Sequence, residues 1–213
     1  MYPRHMALGF EHPKAGWFLN RLARFLFWLT GWKTEGSVPA IPRFVVIAAP
    51  HTSYWDALAM LTAGCVFDVK FSWMVKDAVF FFPLGILVRW FGGIPIDRTK
   101  RSNVVGQAIE AFRTTSGMFL AVSPEGTRGH ADHWKTGFYH IAVGAEVPLV
   151  FGYVDYARKV AGLGRVFHPT GDIEADFQEF AAFYATVTPK YPELRGRVAL
   201  RAEPEAPKKR AVG

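Results

Sequence analysis

His51 and Asp56 are the two residues of this sequence whose types and spacing best suit acid–base chemistry. The histidine closely follows a short apolar run that ends in proline, residues 44–50, and the aspartate lies five positions further on. An imidazole at the point where a strand ends and a helix begins is exposed at the edge of a sheet and can accept a proton. The carboxylate can then hold the ring nitrogen that takes no part in the reaction. The spacing therefore favours a general base with an orienting acid.

The same stretch also has a purely structural explanation. Ser53-Tyr54-Trp55-Asp56 has the spacing of a capping box, in which Asp56 only stabilises the start of a helix. Because histidine–aspartate pairs are common, the spacing alone does not establish catalysis. Both interpretations stay open on the sequence.

Two further segments place an arginine just beyond a strand. Residues 94–97 are predicted as a short strand followed by Arg98, whose planar guanidinium can bind a phosphate. Residues 123–128, Ser-Pro-Glu-Gly-Thr-Arg, form a rigid loop whose backbone donors and Arg128 suit an anionic ligand. Each arginine taken alone is equally consistent with a solvated ion pair to a neighbouring acid. Ligands gather at strand ends in α/β sheets, so we expect the three clusters to share one site.

The hydrophobic pattern predicts strands that alternate with helices. The predicted strands are 44–49, 69–75, 94–97, 118–122 and 147–154, with a short strand before Gly36, and the predicted helices are 14–32, 57–67, 103–113, 137–143 and 176–187. This alternation predicts a single-domain α/β fold, a mixed, mainly parallel sheet flanked by helices. We expect an amphipathic helix in residues 1–34, the main domain in 35–190, and a partly frayed tail in 191–213.

The N-terminal helix has the residue distribution of a helix that lies on a membrane surface. Asn20, Arg21 and Arg24 fall on one side, and tryptophans lie near the borders and ends. The opposite face is broad and apolar, with Phe18, Leu19, Leu22, Phe25, Leu26 and Leu29. Indole prefers the headgroup zone and arginine binds lipid phosphate, which favours the membrane interpretation. The alternative is that this face packs on the sheet.

The composition agrees with a membrane lipid partner and gives no support for nucleic acid. Half of the 213 residues are hydrophobic, 19 are phenylalanine, and the formal net charge is +7. A basic, apolar chain suits an anionic membrane surface, and no nucleic-acid-binding module is recognisable.

A single cysteine fits a reducing compartment. The start does not read as a signal peptide, and no stretch has the roughly twenty apolar residues that span a bilayer. We therefore expect a peripheral protein on the cytoplasmic face of a membrane.

Several other site types do not fit the sequence. The nucleophile motif Gly-x-Ser-x-Gly of many serine hydrolases is absent, and the glycines around Leu163 are too few for a dinucleotide loop. The candidate metal ligands are His130, Asp132, His133 and His140. Their spacing matches no standard ligand pattern, so no metal site is predicted.

Taken in order, these motifs resemble the glycerolipid acyltransferase family, also called the lysophosphatidic acid or 1-acylglycerol-3-phosphate acyltransferases. The resemblance rests on His-x4-Asp, then Gly-Ile-Pro-Ile-Asp-Arg, Pro-Glu-Gly-Thr-Arg and Val-Pro-Leu-Val, and covers roughly residues 35–155. The combination of Pro-Glu-Gly-Thr-Arg with an upstream His-x4-Asp is highly specific, although neither element is so alone.

The resemblance implies that His51 is the general base that deprotonates the hydroxyl of an acyl acceptor, with Asp56 orienting the imidazole. The hydroxyl would attack the thioester of acyl-CoA or acyl-carrier protein, with no covalent acyl-enzyme and no metal or other cofactor. The acceptor would be a lysophospholipid such as lysophosphatidic acid.

The resemblance also implies an anion-binding pocket for the head group of the acceptor. Arg98 and Arg128 would bind its phosphate, and Glu125 and Gly126 would shape the pocket. Thr127 belongs to the same substrate-binding loop. Lys76 lies where similar proteins often have a basic residue, at a loose spacing, and is a further predicted phosphate contact.

Three departures from the family pattern leave the acceptor open. Pro50 stands where many relatives have asparagine, Ser123 stands where many have phenylalanine, and residues 151–156 lack the second proline of the last motif. A non-glycerol acceptor such as lyso-ornithine lipid is one alternative, and a non-catalytic lipid-binding or scaffold protein is another.

The apolar segment 79–96, interrupted by Pro83 and glycines, is predicted as short helices beside an acyl-chain groove or as core. The oligomeric state is not predicted.

Overall fold

The structure is a computed structural model that describes residues 14–97 and 104–201. This part of the chain contains seven strands and six α-helices. The strands are β1 (Lys33–Glu35), β2 (Arg43–Ala48), β3 (Ser72–Lys76), β4 (Gly93–Ile96), β5 (Met118–Val122), β6 (Leu149–Asp155) and β7 (Val160–Phe167). The helices are α1 (Trp17–Thr30), α2 (Tyr54–Val66), α3 (Leu84–Trp90), α4 (Val104–Arg113), α5 (Gly137–Gly144) and α6 (Ile173–Ala185). Short 3-10 turns cover Asp77–Val79 and Pro192–Leu194.

All seven strands form one sheet in the order β1-β7-β6-β2-β5-β3-β4. Neighbouring strands are parallel except β6 and β7, which form an antiparallel pair. The predicted α/β fold with a mixed, mainly parallel sheet is therefore confirmed. The strand order places β2 in the middle, with β5 on one side and β6 on the other.

The central strand β2 is apolar throughout because both of its faces are covered by helices. Val45 and Ile47 pack in the larger core cluster, with residues of α4, α5 and α6. Phe44 and Val46 point to the other face, where partly buried residues of α2 pack against them. All four side chains have no exposed surface. A continuous apolar run is the pattern expected of a strand buried on both faces.

The strand β7 was not predicted, because its sequence contains Gly162 and Gly164, and glycine is unfavourable in strands. Both glycines have a packing reason. A Cβ atom on Gly162 would lie 2.6 Å from the carbonyl oxygen of Glu35, and one on Gly164 would lie 2.9 Å from the ring of Phe183. The glycines therefore allow β1 and α6 to approach β7 closely.

The N-terminal helix α1 packs on α2 through a stripe that contains buried apolar residues and polar side chains beside them. Ala23 and Phe27 are its buried residues. The Asn20 amide donates to the backbone oxygens of Cys65 and Val66 at the end of α2, and the Arg24 guanidinium donates to that of Val66. Donors at these positions satisfy carbonyl groups that α2 leaves unpaired at its C-terminus.

Because this stripe contacts α2, the apolar face of α1 points outward. Trp17 and Trp28 are 75% and 76% exposed, and Phe18, Phe25 and Leu29 are more than half exposed. The alternative that the apolar face packs on the sheet is therefore wrong. The membrane association of α1 stays a prediction.

Residues 79–92 of the apolar segment 79–96 form α3 and its flanking turns on the surface. Phe81, Phe82 and Ile86 are each more than 60% exposed, and Gly85 is the one buried residue of α3. The alternative that this segment is core is therefore wrong for 79–92, whereas residues 93–96 form β4, in which Ile96 is buried. Within residues 14–97 and 104–201, every helix is too short or too polar to cross a bilayer. The predicted limits of the terminal segments stay predictions, and residues 1–13 and 202–213 lie outside the described residues.

Candidate active site

The loops that carry the predicted site residues leave the same edge of the sheet. His51 follows β2, and Glu125 follows β5, which pairs in parallel with β2 up to Ile47 and Val122. On the other side β6 pairs in parallel with β2, with Ala48 opposite Gly152. Because the carboxyl ends of these three neighbouring strands coincide, residues distant in sequence meet there.

His51 and Asp56 lie side by side at this edge. The Nδ1 atom of His51 is 3.6 Å from Oδ2 of Asp56. This distance is longer than a hydrogen bond but within the range of an ion pair when the imidazole is protonated. The His51 side chain is 24% exposed and that of Asp56 only 4%. The arrangement leaves the imidazole accessible while its partner carboxylate is buried.

Asp56 also caps α2, so the structural interpretation of this motif is correct, and the catalytic one stays a prediction. Its Oδ2 accepts hydrogen bonds from the backbone N–H groups of Thr52 at 2.6 Å and Ser53 at 2.8 Å, and Oδ1 accepts one from the Ser53 hydroxyl at 2.8 Å. Burial raises the pKa of Asp56, but the contact with His51 and the hydrogen bonds from Tyr156 and Ser53 outweigh it, so the pKa is lowered. The carboxylate is therefore ionised and fixed in orientation.

Glu125 supports the loop that carries His51. Its side chain is 3% exposed, and Oε2 accepts a hydrogen bond of 2.6 Å from the backbone N–H of His51. Burial raises the pKa of Glu125, partly offset by backbone hydrogen bonds from His51 and Gly196. This carboxyl group thus links the loop after β5 to the loop after β2.

The last three residues of the Pro-Glu-Gly-Thr-Arg loop, 126–128, are exposed beside the start of α2. The Arg128 guanidinium lies over the ring of Tyr54, 3.7 Å from its centroid, a cation–π contact that fixes its position. Gly126 has a φ of 64°, which favours glycine. The Thr127 hydroxyl accepts a hydrogen bond of 3.2 Å from the backbone N–H of Gly129 and so shapes the turn.

A mainly apolar cavity of about 190 Å³ opens beside the imidazole. Its lining includes His51 and Asp56 together with Met60, Trp73 and Ser123. The Ser123 Oγ atom is buried and has no hydrogen-bond partner among the described residues. The cavity offers an apolar chain a place next to the acid–base pair.

Two predicted phosphate contacts are not part of this arrangement as described. Lys76 ends β3 as an exposed residue and lies outside the described lining of the cavity. Arg98 lies outside the described residues. Across the described ranges no three histidine, cysteine or acidic side chains are grouped as metal ligands.

Three contributors to the site were not predicted. They are Tyr54, the segment 191–199, and Tyr156, whose hydroxyl donates to Oδ1 of Asp56 at 2.7 Å. The segment 191–199 joins both loops, since the Tyr191 N–H donates to the Thr52 hydroxyl and the Arg197 N–H donates to the backbone oxygen of Ala131. Periodicity and motif spacing carry no signal for such contacts, because the partners are far apart in sequence.

Comparisons with known proteins bear on the family and the fold of the chain. The acyltransferase family profile matches residues 34–151. Among solved structures, the chain is similar to the 1-acyl-sn-glycerophosphate (LPA) acyltransferase PlsC from Thermotoga maritima, with 20% sequence identity and a TM-score of 0.55. The similarity covers 76% of this chain and 73% of that one, and at this identity it shows the shared fold. No curated protein sequence matches the chain significantly.

Proposed function

Since the acyltransferase profile matches more than half of its sequence, the chain belongs to the acyltransferase family, and we propose that it acylates a lysophospholipid. The acyl group would come from the thioester of acyl-CoA or acyl-carrier protein, and the acceptor would be the free hydroxyl of a lipid such as lysophosphatidic acid. One observation carries the proposal: an accessible imidazole lies beside a buried, ionised carboxylate at an apolar cavity.

In the proposed mechanism His51 acts as a general base. With Nδ1 facing Asp56, Nε2 is available to take the proton from the acceptor hydroxyl. The oxygen attacks the carbonyl carbon of the thioester, and the ionised Asp56 stabilises the imidazolium that forms. When the tetrahedral intermediate collapses, the carbon–sulfur bond breaks and the imidazolium returns its proton to the thiolate. A thioester is already activated, so this reaction proceeds without a covalent intermediate.

The acceptor head group would bind at the loop after β5. Arg128 is exposed near the start of α2, and its contact with Tyr54 reduces the entropy lost when it grips a phosphate. Gly126 and Thr127 shape the turn that presents it, and Glu125 anchors that turn to the His51 loop. Arg98 and Lys76 stay proposed phosphate contacts on the basis of the sequence.

Replacing Arg128 with alanine is expected to raise the KM for an anionic lysophospholipid by about tenfold or more, the cost of losing a charge-assisted hydrogen bond, with kcat changed much less. Steady-state kinetics with varied acceptor in mixed micelles provide the measurement. Arg113→Ala is the matched control, because Arg113 is exposed on α4 and contacts Glu110 at 4.0 Å. Equal KM values for the Arg128 and Arg113 variants would show that Arg128 does not bind the acceptor.

We further propose that the enzyme binds the cytoplasmic face of a membrane as a peripheral protein. The outward apolar face of α1 continues toward exposed residues of α2 and α3, since Leu58 and Trp90 line the same groove as Leu22. The net charge of +7 adds attraction to anionic lipids. A surface of this kind would bring the site to an acceptor that resides in the bilayer.

Replacing both Phe25 and Trp28 by serine is expected to reduce partitioning onto vesicles of phosphatidylglycerol and phosphatidylcholine by at least about tenfold. Each replacement removes apolar surface that would be buried in the membrane interface. Sedimentation of the protein with vesicles measures the effect. Val143→Ser removes an exposed apolar side chain from α5, a helix of the other layer, and is the control. Unchanged partitioning of the double variant would exclude α1 as the membrane contact.

The proposed activity is tested by offering acyl-CoA and acyl-carrier protein with a panel of lysolipids and identifying the products by mass spectrometry. The panel contains lysophosphatidic acid, other lysophospholipids and lyso-ornithine lipid. We expect a diacyl product from at least one phosphate-bearing acceptor. Vesicle binding without turnover of any donor and acceptor pair would favour the non-catalytic scaffold instead. Turnover of lyso-ornithine lipid alone would identify that lipid, and not a lysophospholipid, as the acceptor.

A further inference from the structure

Tyr156 holds the carboxylate of Asp56 from the side opposite His51. Its hydroxyl donates to Oδ1 at 2.7 Å, while the atom nearest the imidazole is Oδ2. The hydrogen bonds from Thr52 and Ser53 come from within the capping box, whereas Tyr156 lies 100 residues away in sequence. It therefore fixes the carboxylate against a different part of the fold.

The position of Tyr156 is itself well determined. It follows β6, whose parallel pairing with β2 brings the residues after each strand together. Its backbone N–H donates to the oxygen of Thr188 at 2.9 Å, and its ring meets that of Trp32 edge to face at 5.1 Å. Neither of these contacts needs the hydroxyl group, so a phenylalanine can take the same place.

The phenol suits a role as a permanent donor. Burial and the hydrogen bond to Asp56 raise the pKa of Tyr156 well above its usual value, so the hydroxyl keeps its proton at any physiological pH. The charged and titratable groups around this pair are His51 and Glu125 on the neighbouring loops, and Lys190 and Tyr191 from the C-terminal segment.

We propose that Tyr156 is a positioning residue for acyl transfer, which keeps Oδ2 of Asp56 turned toward His51. This inference rests on the proposed function, because it assigns Tyr156 to the acid–base pair of that reaction. Without the hydroxyl, the carboxylate retains its capping bonds, but Oδ1 loses its long-range donor and only residues at the start of α2 hold the group. The imidazolium then forms next to a less ordered partner.

The test compares the wild type with Tyr156→Phe. We expect kcat to fall about tenfold, the order of magnitude for losing a hydrogen bond to a charged group, and the KM for the acceptor to stay within about twofold. In an Asp56→Asn background the same change is expected to leave kcat unaltered, because Tyr156 acts through the ionised carboxylate. Tyr153→Phe is the matched control, since Tyr153 lies on β6 and donates to another carboxylate, that of Glu35, at 2.5 Å.

A second readout does not depend on turnover. Without the phenol, the carboxylate of Asp56 is held less firmly beside the imidazole. The NMR chemical shifts of the His51 ring nitrogens are therefore expected to change in Tyr156→Phe and to stay in place in Tyr153→Phe. The two readouts separate the inference from the proposed function.

If no lysolipid is acylated by the wild type, the proposed function fails, and the NMR comparison alone decides whether Tyr156 positions the pair. An active enzyme whose kcat and His51 ring signals are both unchanged by Tyr156→Phe would overturn the inference. Equal losses of kcat with and without Asp56, or an equal loss in Tyr153→Phe, would also overturn it, since they indicate a merely structural bond.

Discussion

Replacement of His51 by alanine is expected to reduce the rate of acyl transfer by about a thousandfold, within the range that a general base contributes. The variant lacks any group near Asp56 that can take the proton of the acceptor hydroxyl. Its fold is expected to persist, because the contact of His51 with Glu125 uses the backbone N–H, which alanine retains. The measurements are kcat with the best acceptor of the panel and the circular dichroism melting curve.

His140→Ala serves as the control for this result. His140 is an exposed histidine on α5, and its replacement is expected to leave both transfer and melting unchanged. Transfer by the His51 variant within a factor of about three of the wild type would rule out general-base catalysis by this residue. A loss of transfer accompanied by unfolding would instead assign His51 a structural role.

Asp56→Asn is expected to lower kcat by about a hundredfold or more while leaving the fold in place. The asparagine oxygen can accept from the backbone N–H groups of Thr52 and Ser53, and its amide can donate to the hydroxyl oxygens of Ser53 and Tyr156. The geometry of the cap is thereby preserved, but the negative charge that stabilises the imidazolium is lost. The kinetic comparison thus separates the electrostatic role of Asp56 from its capping role.

The stability of the same variant has a predicted pH dependence. Because the pKa of Asp56 is lowered in the fold, its ionised form contributes stability that is fully present above its ordinary value of 3.8 and is lost as the pH falls through the lowered value. The difference in unfolding free energy between wild type and variant should therefore shrink below that value. Asp56→Ala, which also removes the capping acceptor, should cost about 0.5–2 kcal/mol more. A variant as active as the wild type would contradict the role of the carboxylate.

The sequence predicted the fold well where local patterns and burial agree. The strand predicted at 44–49 is β2, whose two ends each lie one residue earlier, and 118–122 is β5 without a change. The strand β7 was not predicted, because its glycines are required for the close packing of β1 and α6, and this tertiary contact leaves no local pattern in the sequence. The surface location of α3 and its flanking turns also depends on which neighbours cover them, and periodicity does not encode that.

The candidate site was predictable as far as it lies within short motifs. His51 and Asp56 are five positions apart, and the turn at Gly126 is a local feature, so spacing pointed to them. The contact of Arg128 with Tyr54 and that of Tyr156 with Asp56 arise only when β5 and β6 flank β2. Sequence spacing also left two interpretations of Asp56 as alternatives, whereas the geometry lets one carboxylate cap α2 and face the imidazole.

The central claim is that an imidazole deprotonates the acceptor so that the acyl group passes directly from thioester to alcohol. It is tested most directly by mixing the wild-type enzyme with a radiolabelled acyl-thioester donor, with and without acceptor, and quenching within milliseconds. We expect thiol release and labelled diacyl lipid only when the acceptor is present, with no label on the protein at any time. A burst of thiol without acceptor, together with labelled protein at Ser123 in the same cavity, would contradict the claim.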